Sequence, residues 1–188
     1  FMGALGAIEA NGFNDAWVTF ANHRKSWAYL QDQLPTTHPI VADIPHLEAA
    51  AQNFDGITYA KGASTLKQLV SYVGFDTFIE AARVYFKRFA WGNTSLQDFL
   101  DVLNEVSGRD MQTWSQAWLQ TSGLSTLGTR RVYREDGKLQ DLYLTQQLPD
   151  TQPAGIGRPH VVKLETFILQ EGKLVSTGTL SLEYPADP

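Results

Sequence analysis

The sequence predicts an α+β protein of more than one domain, in which a mainly helical part precedes a β part. Apolar residues recur at spacings of three and four over the first two thirds of the 188-residue chain, as they do on one face of a helix. After Gly123 this period changes to an alternation of apolar and polar residues around short turn signals, which is typical of strands. We therefore expect residues 1–124 to form a helical unit and residues 125–188 a β unit, joined by an exposed link.

The helical unit is expected to open with an apolar helix and then, after the turn signal EANGFND, a helix with an aromatic face. The prolines of PTTHPIVADIP exclude a continuous helix from the segment that follows. Helical spacing resumes at Leu66 and ends at Gly74, and a second run extends from Phe75 to a stop near Gly92. These runs predict helices that pack on one another through their apolar faces.

Two further helices are predicted from their capping residues. Thr94 and Gln97 have the spacing of a capping box, and the apolar run after them stops at Gly108. Asp110 is suited to cap the next helix, since its side-chain oxygen can accept hydrogen bonds from the first backbone amides.

The β unit is predicted from its turns. Asp136-Gly137 lies between two strand-like runs and is a strong hairpin signal, and Glu171-Gly172 separates two more such runs. A loop rich in proline and glycine, residues 148–159, connects the two pairs. These four predicted strands are barely enough for an independent sheet. We therefore expect them to be the beginning of a larger β-sandwich.

Composition excludes several classes of function. The formal net charge is -5, with 15 basic and 20 acidic side chains, and no long basic run is present to bind a nucleic-acid backbone. The chain has no cysteine, which excludes disulfides and thiolate chemistry and is compatible with a cytoplasmic location. Its longest apolar stretch, FMGALGAI, is far below the roughly 18 residues of a membrane span. We expect a cytoplasmic protein that binds neither nucleic acid nor membrane.

Common catalytic motifs are absent. None of the four histidines lies in an H-E-x-x-H arrangement, so the sequence contains no zinc-ligand motif. Neither G-x-S-x-G, a phosphate-binding loop nor G-x-G-x-x-G occurs. This leaves Tyr59-Ala60-Lys61-Gly62, at the start of a predicted helix, as the motif with the clearest chemical interest.

An ordered set of segments resembles the zinc aminopeptidase N family, a group of gluzincin metallo-aminopeptidases. The set consists of THPI, FDGITYAKGASTLKQL, YVG, YFKRFAWGNTSLQDFL and SGRDMQTWSQAWLQTSG, in that order. The resemblance implies the mainly α-helical C-terminal part of a thermolysin-like catalytic domain. RRVYREDGKLQDLYLTQ then looks like the start of the β-sandwich domain that follows in these enzymes.

The resemblance implies a function for Tyr59. In this family zinc is held by two histidines and a glutamate, and the tyrosine of the Tyr-x-Lys-Gly motif donates a hydrogen bond to the oxyanion of the tetrahedral intermediate. Tyr59 matches that tyrosine and is the candidate catalytic residue. The chemistry is reasonable, because a phenol keeps its proton at neutral pH and can donate to an oxygen on which negative charge develops.

Neighbouring residues are interpreted structurally. We interpret Lys61 as a solvated or salt-bridged helix residue and Gly62 as a glycine that permits close backbone packing. His38, beside a proline, is interpreted as a structural hydrogen-bonding residue. Trp114 and Trp118 share one helical face and are expected in the core.

The zinc ligands, the general base and the Gly-x-Met-x-Asn loop that the resemblance implies do not occur in this sequence. We therefore expect a fragment of a longer zinc aminopeptidase, inactive by itself, whose partners are peptide substrates, the remainder of the catalytic domain and the C-terminal domains. The alternative is a non-catalytic relative that uses the same helices as a protein-interaction scaffold.

Overall fold

The structure, a computed structural model, describes residues 1–151 and 157–184. The helices are α1 (Met2–Asn11), α2 (Ala16–Thr19), α3 (Lys25–Asp32), α4 (Leu47–Gln52), α5 (Gly62–Val73), α6 (Phe75–Arg88), α7 (Leu96–Ser107) and α8 (Met111–Trp118). Two π-helical turns, Phe20–Arg24 and Ile57–Lys61, precede α3 and α5 directly. The strands are β1 (Thr126–Tyr133), β2 (Leu139–Gln147), β3 (His160–Gln170) and β4 (Lys173–Tyr184).

The capping predictions are confirmed for α8 and displaced by one residue for α7. Asp110 accepts hydrogen bonds from the amides of Gln112 and Thr113, both at 3.0 Å. At α7 the capping box is made by Ser95 and Asp98, so the predicted pair Thr94 and Gln97 was wrong. Both pairs have the same spacing in the sequence, and the shorter carboxylate of Asp98 is the one that bonds the Ser95 amide.

A core formed by α5 to α8 supports the helical part. Its buried residues are Leu69, Val73, Phe78, Ala81, Leu100, Val102, Leu103, Met111, Trp114, Ala117 and Trp118. The prediction that Trp114 and Trp118 belong to the core is therefore confirmed. The Trp118 indole also donates to the carbonyl of Pro159, 2.9 Å away, so α8 contacts the residue just before β3.

The strands form two antiparallel hairpins, β1 with β2 and β3 with β4. Both predicted turns are confirmed, because Tyr133 pairs with Leu139 and Gln170 pairs with Lys173 across them. Residues 152–156 of the predicted loop lie outside the described residues. Mixed helices and small antiparallel sheets are thus established, whereas the sandwich and the division at residues 124 and 125 remain predictions.

The expected exposed link between helices and strands was wrong. Thr121 and Gly123, which lie between α8 and β1, are buried. Gly123 has φ +79°, and a Cβ there would lie 2.7 Å from Thr151 Oγ1 and 2.8 Å from Pro149 Cβ. The link is therefore a packed segment that requires glycine at this position. Across the described ranges, 1–151 and 157–184, no helix has the length and apolarity needed to cross a membrane.

Candidate functional site

Tyr59 lies in the π-helical turn Ile57–Lys61, immediately before α5. Asp55 caps the start of this turn, since its Oδ1 accepts hydrogen bonds from the amides of Ile57 and Thr58, each at 2.9 Å. The other carboxylate oxygen, Oδ2, lies 2.9 Å from His38 Nε2. His38 is therefore a structural hydrogen-bonding residue, as predicted, and it orients the cap of the turn that carries Tyr59.

A glycine permits close packing at the start of this turn, but it is Gly56. A Cβ on Gly56 would lie 2.6 Å from Gln31 Oε1 and 2.9 Å from Trp27 Cδ2. The backbone amide of Gly56 donates a hydrogen bond to the same Gln31 Oε1. At Gly62 the nearest atom to such a Cβ is the Ile57 carbonyl oxygen at 3.9 Å, which is ordinary contact. The interpretation of Gly62 as a close-packing glycine was therefore wrong.

The Tyr59 side chain projects to the surface. It is 53% exposed, and its ring centroid lies 5.6 Å from that of Phe54. An open cleft of about 410 Å³ is lined by Phe20, Arg24, Trp27, Phe54, Tyr59 and Ala60. Within the described ranges the Tyr59 hydroxyl has no hydrogen-bond partner, so it is free to donate to a molecule that enters the cleft.

Lys61 points the opposite way and is buried against Asp32. Its Nζ lies 2.8 Å from Asp32 Oδ2, in an ion pair that lacks the direction of a good hydrogen bond, and it donates to the Gly123 carbonyl at 3.3 Å. Burial lowers the pKa of the Lys61 ammonium, and Asp32 opposes that shift. The salt-bridged alternative for Lys61 is thus confirmed and the solvated one is wrong.

Arg158, just before β3, completes this buried group. Its guanidinium donates to the carbonyl oxygens of Ala117, Ser122 and Gly123 and to the hydroxyls of Thr121 and Ser125, at 3.0 to 3.2 Å. Asp32 Oδ1 accepts from the Gly123 amide at 2.9 Å, and therefore Lys61, Asp32 and Arg158 all meet at the same peptide segment. We refer to Asp32, Lys61, Gly123 and Arg158 as the buried polar cluster.

Sequence reasoning missed Asp32 and Arg158. Neither residue belongs to a motif, and Arg158 contacts a segment more than thirty positions earlier in the chain. A sequence signal for such a cluster would have to be found in pairs of distant positions, which spacing rules do not address.

The described residues do not fit a catalytic zinc ion. Among residues 1–151 and 157–184 no group of three His, Asp or Glu side chains is placed to hold a metal ion. His38 and Asp55 are adjacent, but Asp55 already accepts two backbone amides. A catalytic zinc requires three protein ligands, so the described residues cannot by themselves hold one.

His160 lies beside the cluster and has an unusual environment. It is buried, its ring centroid lies 4.9 Å from that of Trp118, and its Nε2 has no hydrogen-bond partner in the part of the chain that the structure describes. Burial, together with the charge of Arg158, lowers the pKa of His160 from 6.5 to about 4.

This environment predicts a loss of stability in acid. Because the folded-state pKa of His160 is lower than the unfolded-state value, the unfolded chain takes up the proton first as the pH falls from 6.5 to about 4. The variant His160→Phe keeps an aromatic ring against Trp118 but has no proton to bind. As the pH falls over this range, the free energy of unfolding of the unmodified chain should decrease by about 2 to 3 kcal/mol more than that of the variant. Urea titrations of both chains at several pH values measure the difference, and parallel profiles would contradict the prediction.

Comparison with known proteins places the chain in a family. The model of the "Peptidase family M1 domain" matches residues 1–120. The chain belongs to peptidase family M1. This confirms the resemblance noted in the sequence, since the matched range contains Tyr59 and all of the helices.

Relatives within family M1 are much longer than this chain. Aminopeptidase N of Streptomyces lividans is 49% identical over 174 residues, which are 89% of this chain and 20% of that protein. The probable aminopeptidase 2 of Sulfurisphaera tokodaii is 35% identical over 109 residues, 58% of this chain and 14% of that protein. The chain thus spans about a fifth or less of the length of these relatives.

A solved structure shows the same fold. The crystal structure of Legionella pneumophila aminopeptidase A in complex with aspartic acid matches with a TM-score of 0.51 and 21% sequence identity. The match covers 72% of this chain and 16% of that chain. At this identity the comparison establishes the fold alone.

Proposed function

We propose that the longer protein containing this chain is a zinc-dependent aminopeptidase that hydrolyses the amino-terminal residue from peptides. Membership of family M1 supports the reaction class. The observation that carries the assignment of Tyr59 is its half-exposed side chain, which lines an open cleft and whose hydroxyl has no hydrogen-bond partner among the described residues.

In this proposal Tyr59 acts on the transition state. As the peptide carbonyl becomes tetrahedral, negative charge develops on its oxygen, and the phenol donates a hydrogen bond to that oxygen. The bond strengthens as charge develops, so it lowers the barrier more than it favours substrate binding. The ring of Phe54 supports one side of the phenol, while Asp55 and His38 hold the backbone below it.

The zinc ion, in this proposal, is bound by residues outside this chain. When bound, zinc polarises the peptide carbonyl and activates water. The remainder of the catalytic domain would supply those ligands and the general base, and would cover the cleft beside Tyr59.

A non-catalytic scaffold remains the second candidate. The observation in its favour is a set of exposed apolar side chains on the helices, namely Leu30, Leu47, Phe75 and Phe86. Such a surface is typical of a contact with another protein or domain. It is equally explained by the remainder of the catalytic domain that the proposal places beside these helices, so the enzyme is preferred.

The proposal predicts different results for the full-length protein and for the 188-residue chain. The full-length protein should retain zinc after dialysis and release the amino-terminal residue from aminoacyl p-nitroanilides. The chain alone should do neither, because it offers no three-ligand site in its described ranges.

Elemental analysis and the chromogenic assay, applied to both proteins, measure these outcomes. A folded full-length protein with neither zinc nor turnover would contradict the enzyme and favour the scaffold. Stoichiometric zinc in the isolated chain would show that its ligands lie within these residues.

A further inference from the structure

Charged residues hold the π-helical turn of Tyr59 at both of its ends. At the start, the Asp55 carboxylate accepts hydrogen bonds from the backbone amides of Ile57 and Thr58. At the end, Lys61 extends its ammonium into the buried polar cluster, 2.8 Å from Asp32 Oδ2 and 3.3 Å from the Gly123 carbonyl. Tyr59 lies between these two attachments.

Tyr59 itself has little that fixes its position. Its side chain is half exposed, lies beside the tilted ring of Phe54, and has a hydroxyl with no hydrogen-bond partner within residues 1–151 and 157–184. A π-helical turn is also less favourable than a continuous α-helix, and such turns occur frequently at functional sites. The position of the phenol therefore depends on how the ends of the turn are held.

The groups that receive the Lys61 ammonium are themselves held in place. Asp32 is fixed by the hydroxyl of Thr37 at 2.7 Å and by the Gly123 amide at 2.9 Å, so the carboxylate that receives Lys61 cannot rotate freely. Arg158 in turn holds the Gly123 carbonyl at 3.0 Å. The end of the turn is thus tied to α3 and to the segment between the helices and the strands.

Stability alone is a weak explanation for this arrangement. Desolvation of a buried ion pair offsets much of its attraction, and well-packed apolar residues in its place are often as stable or more so. What the pair does supply is an anchor point, because the Lys61 ammonium lies between Asp32 Oδ2 and the Gly123 carbonyl, and these two groups belong to other parts of the fold.

We infer that Lys61 is a positioning residue, which acts through Asp32 and the Gly123 carbonyl to hold the Tyr59 hydroxyl where the oxyanion forms. The inference rests on the proposed function, since it gives Tyr59 that part in the reaction. It also makes the segment around Gly123 and the strand that follows Arg158 part of the support of the active site.

The test uses kinetics of the full-length protein with Lys61→Met, which removes the ammonium and keeps the apolar stem. Displacement of the phenol should lower kcat about 10- to 100-fold, with a much smaller change in KM. Lys67→Met is the matched control, because it removes an ammonium from the exposed face of α5 without touching Asp32, and kcat should be unchanged.

A second variant separates positioning from folding. Lys61→Met alone leaves Asp32 buried without its cation, whereas Lys61→Met with Asp32→Asn removes both charges. Both variants should retain zinc and the circular dichroism of the unmodified protein, and both should show the loss in kcat. If neither variant folds, Lys61 is a purely structural residue and the inference is overturned.

A double-mutant cycle with Tyr59→Phe identifies the residue through which Lys61 acts. If Lys61 positions the phenol hydroxyl, Lys61→Met should lower kcat by no more than about twofold once that hydroxyl is absent. If the fold-losses in kcat of Lys61→Met and Tyr59→Phe simply multiply in the double variant, the two residues act independently. That result would overturn the inference and leave the proposed function intact. If Tyr59→Phe itself leaves kcat unchanged, the role proposed for Tyr59 fails and the inference fails with it, whereas absence of turnover in the folded full-length protein would overturn the aminopeptidase itself.

Discussion

Replacing Tyr59 with Phe in the full-length protein is expected to lower kcat about 10²- to 10³-fold, equivalent to roughly 3 to 4 kcal/mol of transition-state stabilisation. The change removes one hydroxyl and little volume from a side chain that is already half exposed, so the fold should be retained. Because the lost hydrogen bond is made mainly in the transition state, KM should change much less than kcat.

Steady-state kinetics with an aminoacyl p-nitroanilide, together with zinc content and melting temperature, measure this result. Tyr133→Phe is the matched control, since Tyr133 in β1 is 55% exposed against 53% for Tyr59 and has no proposed part in the reaction. If a folded, zinc-containing Tyr59→Phe protein keeps more than about a third of kcat, no contribution of the expected size exists and the phenol only packs against Phe54.

Replacing Arg158 with Met is expected to lower the free energy of unfolding of the chain by about 3 to 5 kcal/mol. Arg158 is 2% exposed, and its guanidinium holds the carbonyls of Ala117 and Ser122 and the hydroxyls of Thr121 and Ser125. Methionine can fill the space of the stem but cannot donate to these buried acceptors, and an unsatisfied buried acceptor is costly.

Urea titration followed by tryptophan fluorescence measures this change as a lower midpoint with an unchanged slope. Arg83→Met is the control, because Arg83 makes an exposed ion pair with Glu80 on α6, for which a change within about 0.5 kcal/mol is expected. A similarly small change at Arg158 would show that the buried polar cluster contributes little to stability.

The family and much of the local structure could be predicted without coordinates. The helix cap at Asp110, the helix end at Gly74 and the turns at Asp136-Gly137 and Glu171-Gly172 depend on residues close together in the chain, and all are observed. The error at the α7 cap has the same origin, because neighbouring pairs satisfied one local spacing rule. The expected cytoplasmic location is tested by none of these observations and stays a prediction.

The sequence by itself determined the order of helices and strands, the family, and Tyr59 as the candidate residue, since these depend on local patterns and ordered motifs. Only the tertiary structure decided that Lys61 is buried, that the link at Gly123 is packed, and that the Tyr59 hydroxyl has no partner among the residues the structure describes. Asp32, Lys61, Gly123 and Arg158 are far apart along the chain and meet only after the helices have packed. Burial and charge pairing depend on which residues become neighbours in the folded protein. The periodicity of apolar residues along the chain does not specify these distant contacts.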